Sequence, residues 1–146
     1  MKKKTTTIPM DLVSIEGEGF HLMINIKIGR KKARLLIDTG ASKTVFDSTK
    51  LKQILGPKDS EFEASEHLST GLGTTNMESH STTLKKIKIG DLILQNQEVV
   101  VLDLSNVNES YNMIGIKTID GVLGSDLLQK YRAVIYFHSK KLKLYY

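Results

Sequence analysis

Between Phe20 and Ile28 the chain alternates strictly, with Phe20, Leu22, Ile24, Ile26 and Ile28 on every second position and His21, Met23, Asn25 and Lys27 between them. A period of two predicts a β-strand whose apolar row faces a core. Gly29-Arg30-Lys31 predicts a turn, and Ala33 to Ile37 returns as a near-continuous apolar run, the pattern of a strand buried on both faces. That run stops at Asp38. Thr44-Val45-Phe46 predicts a short strand, after which Asp47 or Ser48 can cap a brief helix through Leu51 and Leu55 that Gly56-Pro57 ends.

The stretch from Asp59 to Ser81 is polar, with Phe62 and Leu68 as its few apolar residues and Gly71-Leu72-Gly73 at its middle, so it reads as an exposed hairpin or loop. Leu84 to Ile89 and Leu92 to Leu104 predict strands around Gly90-Asp91, and the asparagine-rich Ser105 to Tyr111 predicts a loop. Ile119 to Gly124 is an apolar run broken by glycines, Asp126 to Tyr131 predicts a short helix, and Ala133 to Phe137 with Leu142 to Tyr146 predicts a closing hairpin around His138-Ser139-Lys140. Strands dominate throughout. An internal echo accompanies them: Ile26-Lys27-Ile28-Gly29 recurs as Ile87-Lys88-Ile89-Gly90, each copy followed by a return strand, which suggests two related halves. The first copy leads to Asp38-Thr39-Gly40; the second leads, after a loop, to Val122-Leu123-Gly124.

A length of 146 residues with 40% hydrophobic content suits one domain with a core of its own. Cysteine is absent, which excludes disulfide frameworks, thiolate zinc sites and a cysteine nucleophile. His21, His67, His80 and His138 show no metal-ligand spacing, so neither a metal nor another cofactor is expected. The net charge is +5, with basic residues gathered at Arg30-Lys31-Lys32 and Arg34, at Lys85-Lys86 and Lys88, and at Lys140-Lys141 and Lys143. Each group adjoins a predicted turn and lacks interleaved aromatics, so we expect solvated turns rather than a nucleic-acid groove; attraction of acidic substrates is compatible with the same charge. Met1-Lys2-Lys3-Lys4 resembles the start of a signal peptide, but Thr5 to Asp11 supplies no apolar core behind it, and no stretch is long and apolar enough to span a bilayer. A cytoplasmic location and no membrane partner are therefore expected.

Asp38 carries the candidate chemistry. A carboxylate placed directly after Leu35-Leu36-Ile37 emerges from the core and needs a compensating partner. Thr39 offers a hydroxyl, and Gly40 permits a tight turn whose amide can approach the carboxylate. Such a placement suits a general acid or base. An Asx-type turn would use the same residues, and Asp-Ser/Thr-Gly arises by chance in roughly one chain in twenty of this length. The tripeptide gains meaning from its context: the apolar triplet before it, Ala41 after it, a Gly-rich loop about thirty residues on, and Val122-Leu123-Gly124 before a short helix.

In these features the chain resembles the retropepsin-like aspartic peptidases, in particular their single-domain bacterial members. The resemblance runs from about Phe20 to Tyr146: Leu35 to Ser42 matches the apolar run with Asp-Thr-Gly-Ala, Gly71-Leu72-Gly73 lies where that family has its flap, and Asp120 to Leu128 matches the segment before its closing helix. It implies an all-β, closed, barrel-like lobe with one or two short helices. Residues 20–146 would form the peptidase domain and residues 1–19 a tail or an edge strand, with Pro9 restricting Ile8-Pro9-Met10 to an edge. It also implies a catalytic group of Asp38, Thr39 and Gly40, with substrate contacts from Ala41, Ser42, Gly71, Leu72 and Gly73. With a single Asp-Thr-Gly in the chain, a homodimer would be needed to supply the second carboxylate, and the partner would be a peptide or protein substrate. Two departures stand out: the flap region is longer and more polar than in viral members, and an ion pair is missing. Many viral members carry an acidic residue and an arginine where this chain has Ser42 and Ser125, so the viral ion pair at the dimer contact is missing as a pair. The expected activity is aspartic endopeptidase; a non-catalytic peptide-binding or dimerisation module on the same fold is the alternative.

Overall fold

The structure, a computed structural model, describes residues 3–59, 63–64 and 79–146. Alternation shapes its first strands. In β1 (Thr5–Pro9) Thr6 and Ile8 are buried while Thr5, Thr7 and Pro9 are exposed. Then follow β2 (Asp11–Ile15), β3 (Gly19–Ile28), β4 (Lys31–Ile37) and the fully buried β5 (Val45–Asp47). Helix α1 (Ser48–Leu55) starts where Asp47 accepts the Lys50 amide at 3.0 Å and stops where Gly56 returns its amide to the Lys52 carbonyl. After a single 3₁₀ turn (Pro57–Asp59) come β6 (Glu63–Ala64), β7 (His80–Ile89), β8 (Leu92–Leu102), α2 (Ser105–Met113), β9 (Gly121–Leu123), α3 (Ser125–Lys130), β10 (Val134–Tyr136) and β11 (Lys141–Tyr145).

The main sheet runs β2-β3-β4-β9-β5-β8-β7-β6, and an added pairing of β3 with β7 closes its six central strands into a barrel. A second sheet of order β1-β11-β10 packs beside it. The fold is thus mostly β, with three short helices among the described residues, one more than the upper count expected. The principal core holds Leu22, Ile24, Ile26 and Ile28 of β3 with Leu35, Phe46, Leu84, Ile87, Leu94 and Val101; Ile8 and Met10 join it from the N-terminal segment. Burying each such side chain stabilises the fold by about 1.5–3 kcal/mol before conformational entropy is set against it.

The echo noted in the sequence closes the barrel. The β3–β4 and β7–β8 hairpins lie against each other, with Ile28 opposite Ile87 and Lys27 opposite Lys88, and the Gly29 amide donates to the Lys86 carbonyl at 3.0 Å. Both hairpins turn through a glycine at φ 60°.

Two expectations fail. Phe20 was placed on the inward row of β3, yet it is 61% exposed, while Met23 on the opposite row is wholly buried. Among the described residues the start of β3 pairs only with β2, and no layer there covers Phe20; further along, β3 is packed on both faces, and Met23 belongs to a second core with Val45, Leu102 and Val122. The segment from Ser105 to Tyr111, expected as a loop, is helical. Tertiary bonds override weak propensity there: buried Asn108 donates to the Ile119 carbonyl at 3.0 Å and accepts from its amide at 2.8 Å. The Leu104 amide before the helix donates to buried Asp47 at 2.8 Å. Of the polar stretch from Asp59 to Ser81, the arms pair as Glu63 with Ser81 and Ala64 with His80; Phe62, Leu68, Gly71, Leu72 and Gly73 lie outside the described residues.

The twin turns offer a test. A Cβ on Gly29 would meet nothing within 4 Å, whereas one on Gly90 would collide with Thr6 and Ile8 of β1. We expect Gly29→Ala to cost about 1–2 kcal/mol for its positive φ alone. Gly90→Ala adds overpacking of a further 1–3 kcal/mol. Urea midpoints at unchanged slope would measure both.

Candidate active site

Asp38 sits where β4 leaves the sheet. Its amide donates to the Leu123 carbonyl at 3.0 Å, so the end of the parallel β4–β9 pair fixes its backbone. One carboxylate oxygen, Oδ1, accepts the Gly40 amide at 2.8 Å, and the Ala41 amide donates to the Asp38 carbonyl at 3.2 Å. The loop is therefore a short hydrogen-bonded turn that holds the carboxylate in one orientation. Asp38 itself is half-buried, whereas Thr39 and Gly40 are exposed.

A second loop locks the first. Ser125 donates its amide to the Ala41 carbonyl at 2.7 Å, and the Gly124 amide donates to Thr44 Oγ1 at 3.1 Å. Thr44, itself buried, gives its hydroxyl to one oxygen of Asp126 at 2.8 Å and its amide to the other at 3.0 Å. Gly124 admits no side chain, because a Cβ would lie 2.5 Å from the Lys43 carbonyl oxygen. The segments from Asp38 to Thr44 and from Val122 to Asp126, set apart in sequence, are thus one packed unit.

The sequence-derived residues distribute as follows. Asp38, Thr39 and Gly40 form the turn; Ala41 is buried, with its amide and carbonyl both engaged inside the unit; Ser42 is exposed beside it. Thr39 lines a hollow of about 240 Å³ with Ser125, Leu128, Gln129, Arg132, Ala133 and Ile135. Gly71, Leu72 and Gly73 belong to the residues outside the description.

Three further side chains, one of which feels the Asp38 charge, were not legible in the sequence as part of this region. The hydroxyl of Tyr111, on α2, lies 2.8 Å from Nδ1 of His21, on β3, with the two rings edge to face. Burial pushes the Tyr111 phenol above its ordinary value; the Arg34 guanidinium pulls it down, and the negative charge of Asp38 adds to the rise. Arg34 is itself tied to Asp11 at 3.1 Å. His21 was legible only as the polar partner in an alternating strand, and Tyr111 as part of a loop. Their meeting depends on β3–β4 pairing, which ends at Met23 opposite Leu36, just short of His21 and Asp38.

Comparisons with known proteins bear on the family and the fold. A family described as Aspartyl protease matches residues 24–127. No curated protein matches the chain in sequence. Among solved structures, the fold is similar to that of a retropepsin-like aspartic protease from Rickettsia conorii, with a TM-score of 0.60 and 21% identity over 99% of this chain and 93% of that one. It is also similar to the retroviral protease-like domain of Ddi1 from Leishmania major, at 0.56 and 12% over 85% and 87% of the two chains. The EIAV protease complexed with an inhibitor is a third, at 0.57 and 20% over 86% and 100%. Identities this low speak for the fold alone.

The raised phenol makes Tyr111 a reporter on Asp38. Because its folded pKa lies above the unfolded 10.0, the stability it contributes is complete below that pH and is lost as pH rises through the folded value. Ultraviolet tyrosinate titration should show one tyrosine ionising after the others. Tyr111→Phe should remove that phase, and Asp38→Asn should move it to lower pH.

Proposed function

The chain belongs to the aspartyl protease family, and on that premise we propose that it is an aspartic endopeptidase whose active site is completed by pairing two copies, each supplying Asp38. The observation that carries this reading is the Asp38 turn: a carboxylate oriented by the Gly40 amide, anchored to β9, and followed directly by the exposed Thr39 and Gly40. A single such carboxylate lacks the partner that acid–base hydrolysis of an amide requires. Isologous association brings one turn against its copy about a two-fold axis.

The surroundings of Thr39 support pairing at this face. Thr39 and Ile135 line the same hollow, β10 is an edge strand among the described residues, and Tyr136 at its end and Phe137 just after it are 42% and 58% exposed. An unpaired edge flanked by aromatics is a template for another strand. Ser42 and Ser125, in place of an ion pair, leave the contact to backbone pairing, apolar packing and Thr39. In this reading residues 20–146 form the peptidase domain, and the N-terminal strands brace it.

Two carboxylates about 3 Å apart cannot both ionise cheaply, so the pair holds one proton. The ionised Asp38 accepts a proton from a bound water, whose oxygen attacks the peptide carbonyl carbon. The protonated Asp38 of the other copy donates to the carbonyl oxygen. When the tetrahedral intermediate collapses, the C–N bond breaks and the leaving nitrogen takes a proton from the pair. Peptide would lie extended between Ala41 and Ser42 below and the Gly71-Leu72-Gly73 flap above. Exposed Phe20, Met113 and Ile114 adjoin His21 and Tyr111 in sequence and suit apolar residues beside the scissile bond.

Cleavage of a mixed peptide library by the wild type and by Asp38→Asn, with oligomeric state followed in the same buffers, tests the proposal. We expect cleavage to rise with the dimer fraction and Asp38→Asn to lower it by roughly 10²–10⁴-fold while the circular dichroism is unchanged. An active Asp38→Asn chain would overturn the mechanism. A stable wild-type dimer that binds peptides without cleaving them would favour the non-catalytic module.

A further inference from the structure

A second cavity lies at the other end of the barrel. About 470 Å³ in volume, it is bounded by the β3–β4 turn, the end of α1 and the middle of β7. Asp38 follows the last residue of β4, whereas the cavity takes in the first, Lys31. A seven-residue strand separates the two by roughly 20 Å. This is therefore a second site by position, and its chemistry differs from that of the first.

Its floor is apolar and its rim cationic. Ile28 and Leu84 are buried and Ile54 and Leu55 half-buried, while Arg30, Lys31, Lys58, Lys85 and Lys86 around them are all exposed. Among the described residues, no acidic side chain lines the cavity. Lys31 is held over it by a 3.4 Å bond from Nζ to the Gln53 carbonyl, which orients the charge without neutralising it. A separate hollow of about 230 Å³ on the same two hairpins holds Lys27, Lys32 and Lys88, so the echo hairpins concentrate positive charge where they meet. Like charges set opposite each other, as Lys27 is to Lys88, are a cost to the sheet, and a bound anion would relieve it.

We propose that this cavity is a docking site for an acidic peptide segment, one apolar side chain seated on Ile28, Ile54, Leu55 and Leu84 and flanking carboxylates paired with the rim. The volume accommodates one or two side chains within a small-ligand range. A nucleic-acid strand would use the same charge but not the floor, and among the described residues the lining contains no aromatic ring on which a base could stack. Docking here would recruit acidic protein segments to the chain independently of what Asp38 does. The proposal does not rest on the peptidase reading.

The probe is a fluorescein-labelled peptide with a central Leu-Phe pair between runs of glutamate, read by anisotropy on the Asp38→Asn chain so that capture is separate from cleavage. We expect saturable binding that weakens at least about tenfold in Lys31→Glu with Lys86→Glu. It should persist in Lys140→Glu with Lys141→Glu, a cation pair at a remote turn. Replacing every glutamate of the peptide by glutamine, or its Leu-Phe by Ser-Ser, should each abolish it. In wild-type chain, methyl NMR shifts on titration should centre on Ile28, Leu55 and Leu84, which needs no variant to fold. Equal affinity after charge reversal, a methyl footprint elsewhere, or tighter binding of a single-stranded oligonucleotide than of the peptide would each overturn the proposal.

Discussion

Strand β9 is three residues long, yet it is paired on both sides, parallel to β4 and antiparallel to β5. That double pairing leaves no space beside it. A Cβ on Gly121 would lie 2.5 Å from the Val45 carbonyl oxygen, and one on Gly124 would lie equally close to that of Lys43. Interiors packed at crystal density transmit such constraints instead of absorbing them. With β9 seated, the Leu123 carbonyl meets the Asp38 amide, Ser125 meets Ala41, and Thr44 is clasped between Gly124 and Asp126. The orientation of one carboxylate thus descends from the fit of a tripeptide. Substitutions far from Asp38 in sequence, at either glycine, act on the site directly.

Buried polar groups extend the same logic. Asp47 is 4% exposed, and its two carboxylate oxygens are divided between the Lys50 amide at the start of α1 and the Leu104 amide before α2. Asn108 spans both backbone groups of Ile119 on the approach to β9. Each satisfies backbone groups that would otherwise be buried without partners, at a cost of about 1–3 kcal/mol apiece. These bonds tie the helices to the barrel wall that carries Asp38. Tyr111, on α2, meets His21 of β3 in a hydrogen-bonded aromatic pair from elements distant in sequence, and its phenol feels the Asp38 charge.

The molecule is electrostatically uneven. Cations gather at the meeting point of the two echo hairpins, at the far end of β4 from Asp38. Internal repetition accounts for the arrangement: two hairpins of one type, each with lysines on the outward row, pair tip to tip and put their charges side by side. Closing the barrel and concentrating positive charge are the same structural event.

By itself the sequence determined the strands on either side of the Asp38 turn, a cap for α1 at Asp47 or Ser48, the closing hairpin and the order of Asp-Thr-Gly and a later apolar-apolar-Gly run. These are local matters of period, cap and turn chemistry, and side-chain types alone carry them. It named Asp38, Thr39 and Gly40 because an apolar run ending in a carboxylate is visible in one dimension. The tertiary structure decided the rest. It exposed Phe20 and buried Met23, since burial depends on which strands lie over a residue and not on its place in an alternating row. Asn-rich Ser105 to Tyr111 became a helix because Asn108 and the Leu104 amide found partners elsewhere. Above all, it joined His21 to Tyr111 within reach of the Arg34 and Asp38 charges that act on the phenol, and gathered the cationic cavity at the opposite end. Long-range pairing brings such groups together, and no short window of sequence contains it.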